Sequence, residues 1–352
     1  MRNRYLDLLR AVATVRVVVY HLTGWAALTI VFPAMSVMFA LAGSLMAASL
    51  DRFGVWAVER RLRRLLPSLW FLALGIGVPA MLIAGTSFDV HLLLWGFPLV
   101  DPEATGWWMA ALSHAWYLRD FLWFVLLSPL VLPAFRRMPV VSLFLPFAGL
   151  LAIEIFDLKL HVVAHDMALY GGAWLLGFAH HDGMLRKLSR ATLVKLAAGL
   201  AIPGAIWIAT HPGPRGYDLN DNPIGNVLWS TAFILIALGW PTPPVVRESR
   251  MLTVLNARAL SIYLWHIPLI VAVNQVALDH HLPVRGWIGI GWRMAVVFAL
   301  LFVVIMLVGW IEDVAAGRRA TLLPGRKVPV PVSPAPAFSG STGDREVAGA
   351  GT

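Results

Sequence analysis

Arg10 and His21 lie in the first hydrophobic segment of this 352-residue chain, with ten residues between them. Steps of about 100° bring both side chains to one helical face, separated by about 16 Å of axial rise. An arginine costs about 2.5–3.5 kcal/mol at the centre of a membrane helix, and such residues face a bundle interior or a wet cavity. The pair therefore reads as a polar track leading from the cytoplasmic side to an imidazole, the side chain that most readily exchanges a proton near neutral pH. Asp7 stands three residues before Arg10, where a local ion pair lowers the cost of both charges. Arg16 points about 240° away from Arg10 and is expected to meet another helix or a carbonyl.

Other polar residues interrupt the apolar runs. Glu154 is a candidate to orient His21 or to pair with an arginine. Ser261, Tyr263 and His266 are candidates for a pocket lining or for helix–helix hydrogen bonds. Arg60, Arg61, Arg63 and Arg64 crowd one short stretch, as an inside-positive anchor, as a seat for anionic oxygens, or as both. His161 and His165 have the spacing of metal ligands but no clear third partner, so no metal site is expected. His180–His181 and His280–His281 are expected in loops.

The elements that must position these groups are transmembrane helices. The chain is 59% hydrophobic and 13% charged, with a mean hydropathy of +0.74, more apolar surface than a soluble domain of this length hides. The expected fold is all-α and polytopic, with about ten spans: Tyr5–Val31, Phe32–Leu50, Leu65–Ile83, Trp116–Phe135, Val140–Phe156, Met167–Ala179, Leu193–Thr210, Asn226–Trp240, Leu255–Val276 and Trp287–Ile311. The sixth and eighth are short for a bilayer core of about 30 Å.

Charge supports that count. Loops placed inside carry most of the arginines and lysines, whereas those placed outside carry only Lys159, Arg215 and Arg285, which puts both termini in the cytoplasm. The net charge of +9 thus reads as membrane topology, with the bilayer as partner and no nucleic acid. The absence of cysteine excludes disulfides, thiolate nucleophiles and Cys-ligated zinc. The first segment lacks a cleavage signature and is read as a retained span. Two outside segments, Gly85–His114 (with Asp89, His91, Asp101, Glu103, Trp107 and Trp108) and His211–Gly225, could hold a hydroxyl-rich or cationic acceptor; the alternative is an interfacial tryptophan belt with solvated loops. Residues 1–311 form the expected membrane domain. The Pro-, Gly-, Ala- and Ser-rich residues 312–352 form an expected disordered cytoplasmic tail.

Five elements in order carry a family resemblance. They are LDLLRAVATVRVVVYH, with Arg10 and His21; MFALAGSLMA, with Phe39, Gly43 and Leu45 and with Ala42 where serine is usual; and RRLRRLLPSLW, with Arg61, Arg64 and Pro67. HAWYLRDFLWFVLLSPL follows, with Trp116 and Tyr117 and with Arg119–Asp120 in place of the paired glutamates of many sugar-modifying members, and then ALSIYLWHIPLI, with Tyr263, Trp265, His266 and Pro268. From Tyr5 to Ile311 the chain resembles the integral-membrane acyltransferase-3 family.

The resemblance implies acyl transfer from cytoplasmic acyl-CoA, a co-substrate rather than a bound cofactor, to a hydroxyl of a sugar, envelope polymer or secondary metabolite. Arg60, Arg61, Arg63 and Arg64 would meet the donor phosphates, and Arg10 would line the passage. His21 would act as general base, or carry the acyl group itself. Trp116, Tyr117, Glu154, Ser261, Tyr263 and His266 would line the pocket. The competing reading is a transporter or flippase for a polar or lipid-linked solute, against which the chain shows no paired halves with matching interrupted helices.

Overall fold

Apolar runs of about twenty residues satisfy all their backbone groups internally only as helices or closed barrels, and this chain takes the first route. The computed structural model describes residues 4–77, 79, 97, 99–101, 111–240, 246–247 and 249–324. Among them there is no strand, only an isolated bridge between Gly213 and Gly216. The helices are α1 (Arg4–Thr23), α2 (Ala27–Val31), α3 (Ala34–Phe53), α4 (Trp56–Leu72), α5 (Trp116–Arg137), α6 (Pro139–Ile155) and α7 (Val162–His181). They continue as α8 (Arg190–Thr210), α9 (Pro223–Gly239), α10 (Arg250–Ala257), α11 (Ala259–Asp279), α12 (Gly286–Val308) and α13 (Trp310–Ala315). Six stretches are long and apolar enough to cross a membrane: Ala27–Phe53, spanning α2 and α3, and helices α5, α7, α8, α11 and α12.

The differences from the expected spans have local causes. Helix α1 is continuous but carries Asp7, Arg10 and Arg16, so it is not among the six. The sixth expected span is full length, because α7 begins at Val162, five residues before Met167. The fifth, α6, is one of the two shorter apolar helices, and α9 is the other. The ninth begins as two helices, α10 and α11, broken at Arg258. His180 and His181 lie in the last turn of α7 rather than in a loop. The end of the third expected span falls outside the described residues, as do Asp89, His91, Glu103, Trp107 and Trp108.

Helices α3 and α7 cross at glycine. A Cβ on Gly43 would run into the Trp174 carbonyl, and one on Gly177 into the Ala40 carbonyl. Small residues at such a crossing let backbones approach, which supplies the packing that hydrocarbon solvent does not. Around it Phe39, Met46, Leu118, Phe135, Trp174 and Phe178 are fully buried.

Order continues past Ile311, where the sequence suggested a disordered tail. Arg258, fully buried, donates from Nη2 to Asp313 (2.7 Å) and to the Thr321 carbonyl (2.6 Å). Asp313 also pairs with Arg318 at 3.1 Å. Residues from 325 onward lie outside the described ones.

Candidate functional site

Helix α1 packs against α3 on one side and α11 on another, and the second contact brings two histidines together. His21 Nδ1 lies 2.9 Å from the Val17 carbonyl and 3.2 Å from His266 Nε2. His266 Nδ1 lies 2.6 Å from the Tyr263 carbonyl. A carbonyl only accepts, so both Nδ1 atoms carry the hydrogen. His266 Nε2 is then the acceptor of the pair, and His21 Nδ1–H is shared between Val17 and His266. His21, exposed as a whole residue, is left with an unprotonated Nε2, whereas His266 is fully buried. Two backbone carbonyls therefore fix which nitrogen of His21 is basic.

A second shell surrounds His266. His114 packs against it at 5.3 Å between ring centroids and lies 5.1 Å from the Tyr263 ring. The Tyr263 hydroxyl donates to the His114 carbonyl, and His114 Nε2 donates to the Leu264 carbonyl at 3.1 Å. Tyr117, buried between Phe39 (4.9 Å) and Tyr263 (5.2 Å), extends the cluster, and Trp116 stacks on Tyr170 at 5.7 Å. His114 carried no signal in the sequence, because it ends a segment read as an outside loop.

The far end of α1 is cationic. Arg10 pairs with Asp7 at 3.9 Å, as their spacing suggested. Arg61 Nη2 donates to Ser49 at 3.3 Å. The like charges of Arg64 and Arg10 act on the Arg61 guanidinium. Arg64, exposed on the same helix, faces the like charges of Arg318 and Arg60 and the carboxylate of Glu312. These cations are gathered closely enough to disfavour one another. Arg60 lies over the Phe53 ring at 4.1 Å. Arg63 is turned to solvent and tied to Glu59, one turn earlier on α4, so the structure leaves it out of the group.

Glu154 departs from its expectation, whereas Ser261 takes the hydrogen-bonded one of its two alternatives. Glu154 meets neither His21 nor an arginine; it bonds to His165 Nε2 at 3.1 Å, at the exposed end of α6. Ser261 donates through its backbone N (2.8 Å) and hydroxyl (2.6 Å) to Glu312, which gives it a helix-anchoring contact beside α13. Arg16 does meet a carbonyl, that of Leu28 at 3.0 Å, and lies over the Tyr20 ring. Asp51, His181 and Asp182 bring ligand atoms together, but Arg136 already bridges the two carboxylates through four hydrogen bonds of 2.7–2.9 Å.

The open end of the site is held by residues 215–220, within the outside segment His211–Gly225 that the sequence offered as acceptor-facing. The Tyr20 hydroxyl donates to buried Asp218 (2.5 Å) and accepts from Arg215 (2.9 Å) and Asn220 (3.0 Å), while Thr29 accepts from the Leu219 nitrogen at 3.0 Å. The last turn of α1, with His21 in it, is thereby pinned to residues 215–220.

Comparison with known proteins bears on what this arrangement does. A family model described as an acyltransferase domain, that of the acyltransferase-3 family, matches residues 3–311. The O-acetyltransferase OatA of Staphylococcus aureus, in strains NCTC 8325, COL and MRSA252, is 24% identical over 332 residues, covering 80% of this chain and 53% of the relative. The chain thus spans about half the length of the curated relatives it matches. No solved structure matches.

Proposed function

Because the chain belongs to the acyltransferase-3 family, we propose that it is a membrane O-acyltransferase that takes an acyl group from cytoplasmic acyl-CoA, with His21 as general base. Similarity to an O-acetyltransferase favours acetyl as the group transferred and a hydroxyl of a sugar, envelope polymer or secondary metabolite as acceptor. The observation that carries the reading is the tautomer lock: His21 offers an unprotonated Nε2 while Nδ1–H is held by Val17 and His266. The acceptor O–H gives its proton to Nε2 as its oxygen attacks the thioester carbonyl. The C–S bond breaks, CoA leaves as the thiol after taking up the proton, and the acyl ester remains. General-base assistance of this kind is worth about 10²–10⁴-fold.

The donor is multiply anionic, and the mutually repelling Arg10, Arg61 and Arg64 are a place where phosphates would relieve like charge. Arg10 shares the face of His21 on one unbroken helix, about 16 Å away, a distance suited to the flexible arm between phosphates and thioester. The six long helices, the shorter α6 and α9, and α1 and α4 together make ten crossings of the cell membrane, with both termini in the cytoplasm.

Acetyl-CoA binding to the purified full chain in detergent, read beside transfer of labelled acetyl to membrane acceptors, tests the proposal. The wild type should bind saturably and transfer. Arg61→Gln with Arg64→Gln should lose binding, whereas His21→Ala should keep binding and lose transfer. Transfer retained by His21→Ala removes the base assignment, and donor binding indifferent to the arginines removes the phosphate site.

A further inference from the structure

A groove of about 370 Å³ lies between α1, α10, α11 and α12, and its described lining includes none of Arg10, Arg61 and Arg64. Val18, Val254, Ile262, Phe298, Leu301 and Ile305 form its walls, and Arg250 is the one charged residue among those described as lining it. An apolar volume of this size does not fill with water, and an empty one forfeits dispersion contacts along every wall. Hydrocarbon is the filling that restores those contacts. The groove is open on its side, where Phe302 is 52% and Met251 71% exposed. In a chain with six helices apolar enough to cross a membrane, that side meets acyl chains.

The headgroup is argued from charge. Helix α10 turns Met251, Val254 and Leu255 to the groove, and Arg250 opens it, with Arg247 exposed just before. No carboxylate among the described residues pairs with Arg250. A cation at the rim of an apolar cleft between helices suits an anionic headgroup, and a zwitterionic lipid would fill the groove without answering the charge. We propose that this groove binds an anionic phospholipid, one acyl chain lying along Val18, Ile262 and Leu301 and the phosphate against Arg250. The site is independent of the acyl-transfer reading, since it requires only that the chain be embedded in a membrane.

Native mass spectrometry of the full chain, released from micelles containing equal phosphatidylglycerol and phosphatidylcholine, provides the test. The wild type should retain phosphatidylglycerol over phosphatidylcholine by about fivefold, the worth of one cation near an anionic headgroup. Arg250→Gln, at an exposed position, should bring the two lipids to parity without lowering the melting temperature. Val254→Trp, which fills the groove, should reduce retention of both. Should that variant fail to fold, a photoreactive acyl chain on phosphatidylglycerol supplies the same information by crosslinking to the wild type at α10 and α12. Equal retention of both lipids by the wild type, a preference that survives Arg250→Gln, or crosslinks confined to other helices would each overturn the site. Preferential retention of an added polyprenyl phosphate over both phospholipids would overturn it in favour of a lipid-linked ligand.

Discussion

When His21 takes a proton, both of its nitrogens carry hydrogen, and the Nδ1–H that faces His266 Nε2 becomes a charge-assisted donor. Hydrogen bonds to charged groups are worth about 1.5–3 kcal/mol. His266→Ala should therefore lower turnover by about ten- to a hundredfold while leaving acetyl-CoA affinity unchanged, as steady-state kinetics and binding would show. His266→Gln should recover part of the loss, because its amide oxygen can accept the same bond; equal loss in both variants would mean that His266 serves packing alone. His21 and Arg10 stood out in the sequence because a polar residue in an apolar run is conspicuous and helical phase aligns the two. Neither the partnership with His266, 245 residues away, nor the buried position of His114 left any local pattern.

The glycine crossing of α3 and α7 fixes the middle of the bundle. Adding bulk there drives one backbone off another, and overpacking of this kind costs about 1–3 kcal/mol, so Gly177→Ala should lower the detergent melting temperature far more than Gly172→Ala, where an added Cβ meets nothing within 4 Å. Residues 213–221 form an element of a different sort, closed by the Gly213–Gly216 bridge and by Arg215, whose side chain and backbone N–H bond to Asp221. Those bonds hold the Asp221 carboxyl below its ordinary 3.8. A depressed carboxylate contributes its stability above the unfolded value and loses it as pH falls through the lower folded one. A spin label at exposed Tyr217 should stay immobile at neutral pH and loosen only below about pH 4, whereas in Arg215→Gln it should be mobile at neutral pH with no acid step. Turn-forming residues made this loop legible as a loop. Its grip on Tyr20 was not, since that contact joins positions 198 residues apart.

Across the whole molecule, hydropathy reveals the six stretches long and apolar enough to cross a membrane, because it reports on the bilayer rather than on any particular neighbour. The boundary at Ile311 was misplaced for the complementary reason: what orders residues 312–324 is a partner, Arg258, buried far back in the sequence. Truncation after Ile311 removes Asp313 and Thr321 from that guanidinium and should cost about 3–5 kcal/mol, seen as lost expression or a much lower melting temperature, whereas truncation after Pro324 should be tolerated. Arg119, fully buried near the start of α5, is held by three aspartates, and their placement has an electrical consequence. One guanidinium faces the carboxyl groups of Asp101, Asp120 and Asp166, an acidic pole near the starts of α5 and α7, while Arg10, Arg61 and Arg64 form a cationic pole in the first halves of α1 and α4. In the proposed orientation this charge axis lies along the resting potential, positive pole toward the negative interior, where a charge crossing 100 mV is worth about 2.3 kcal/mol. The voltage drives an anion out of the cytoplasm, and fixed cations at the entrance hold the donor phosphates against that drive.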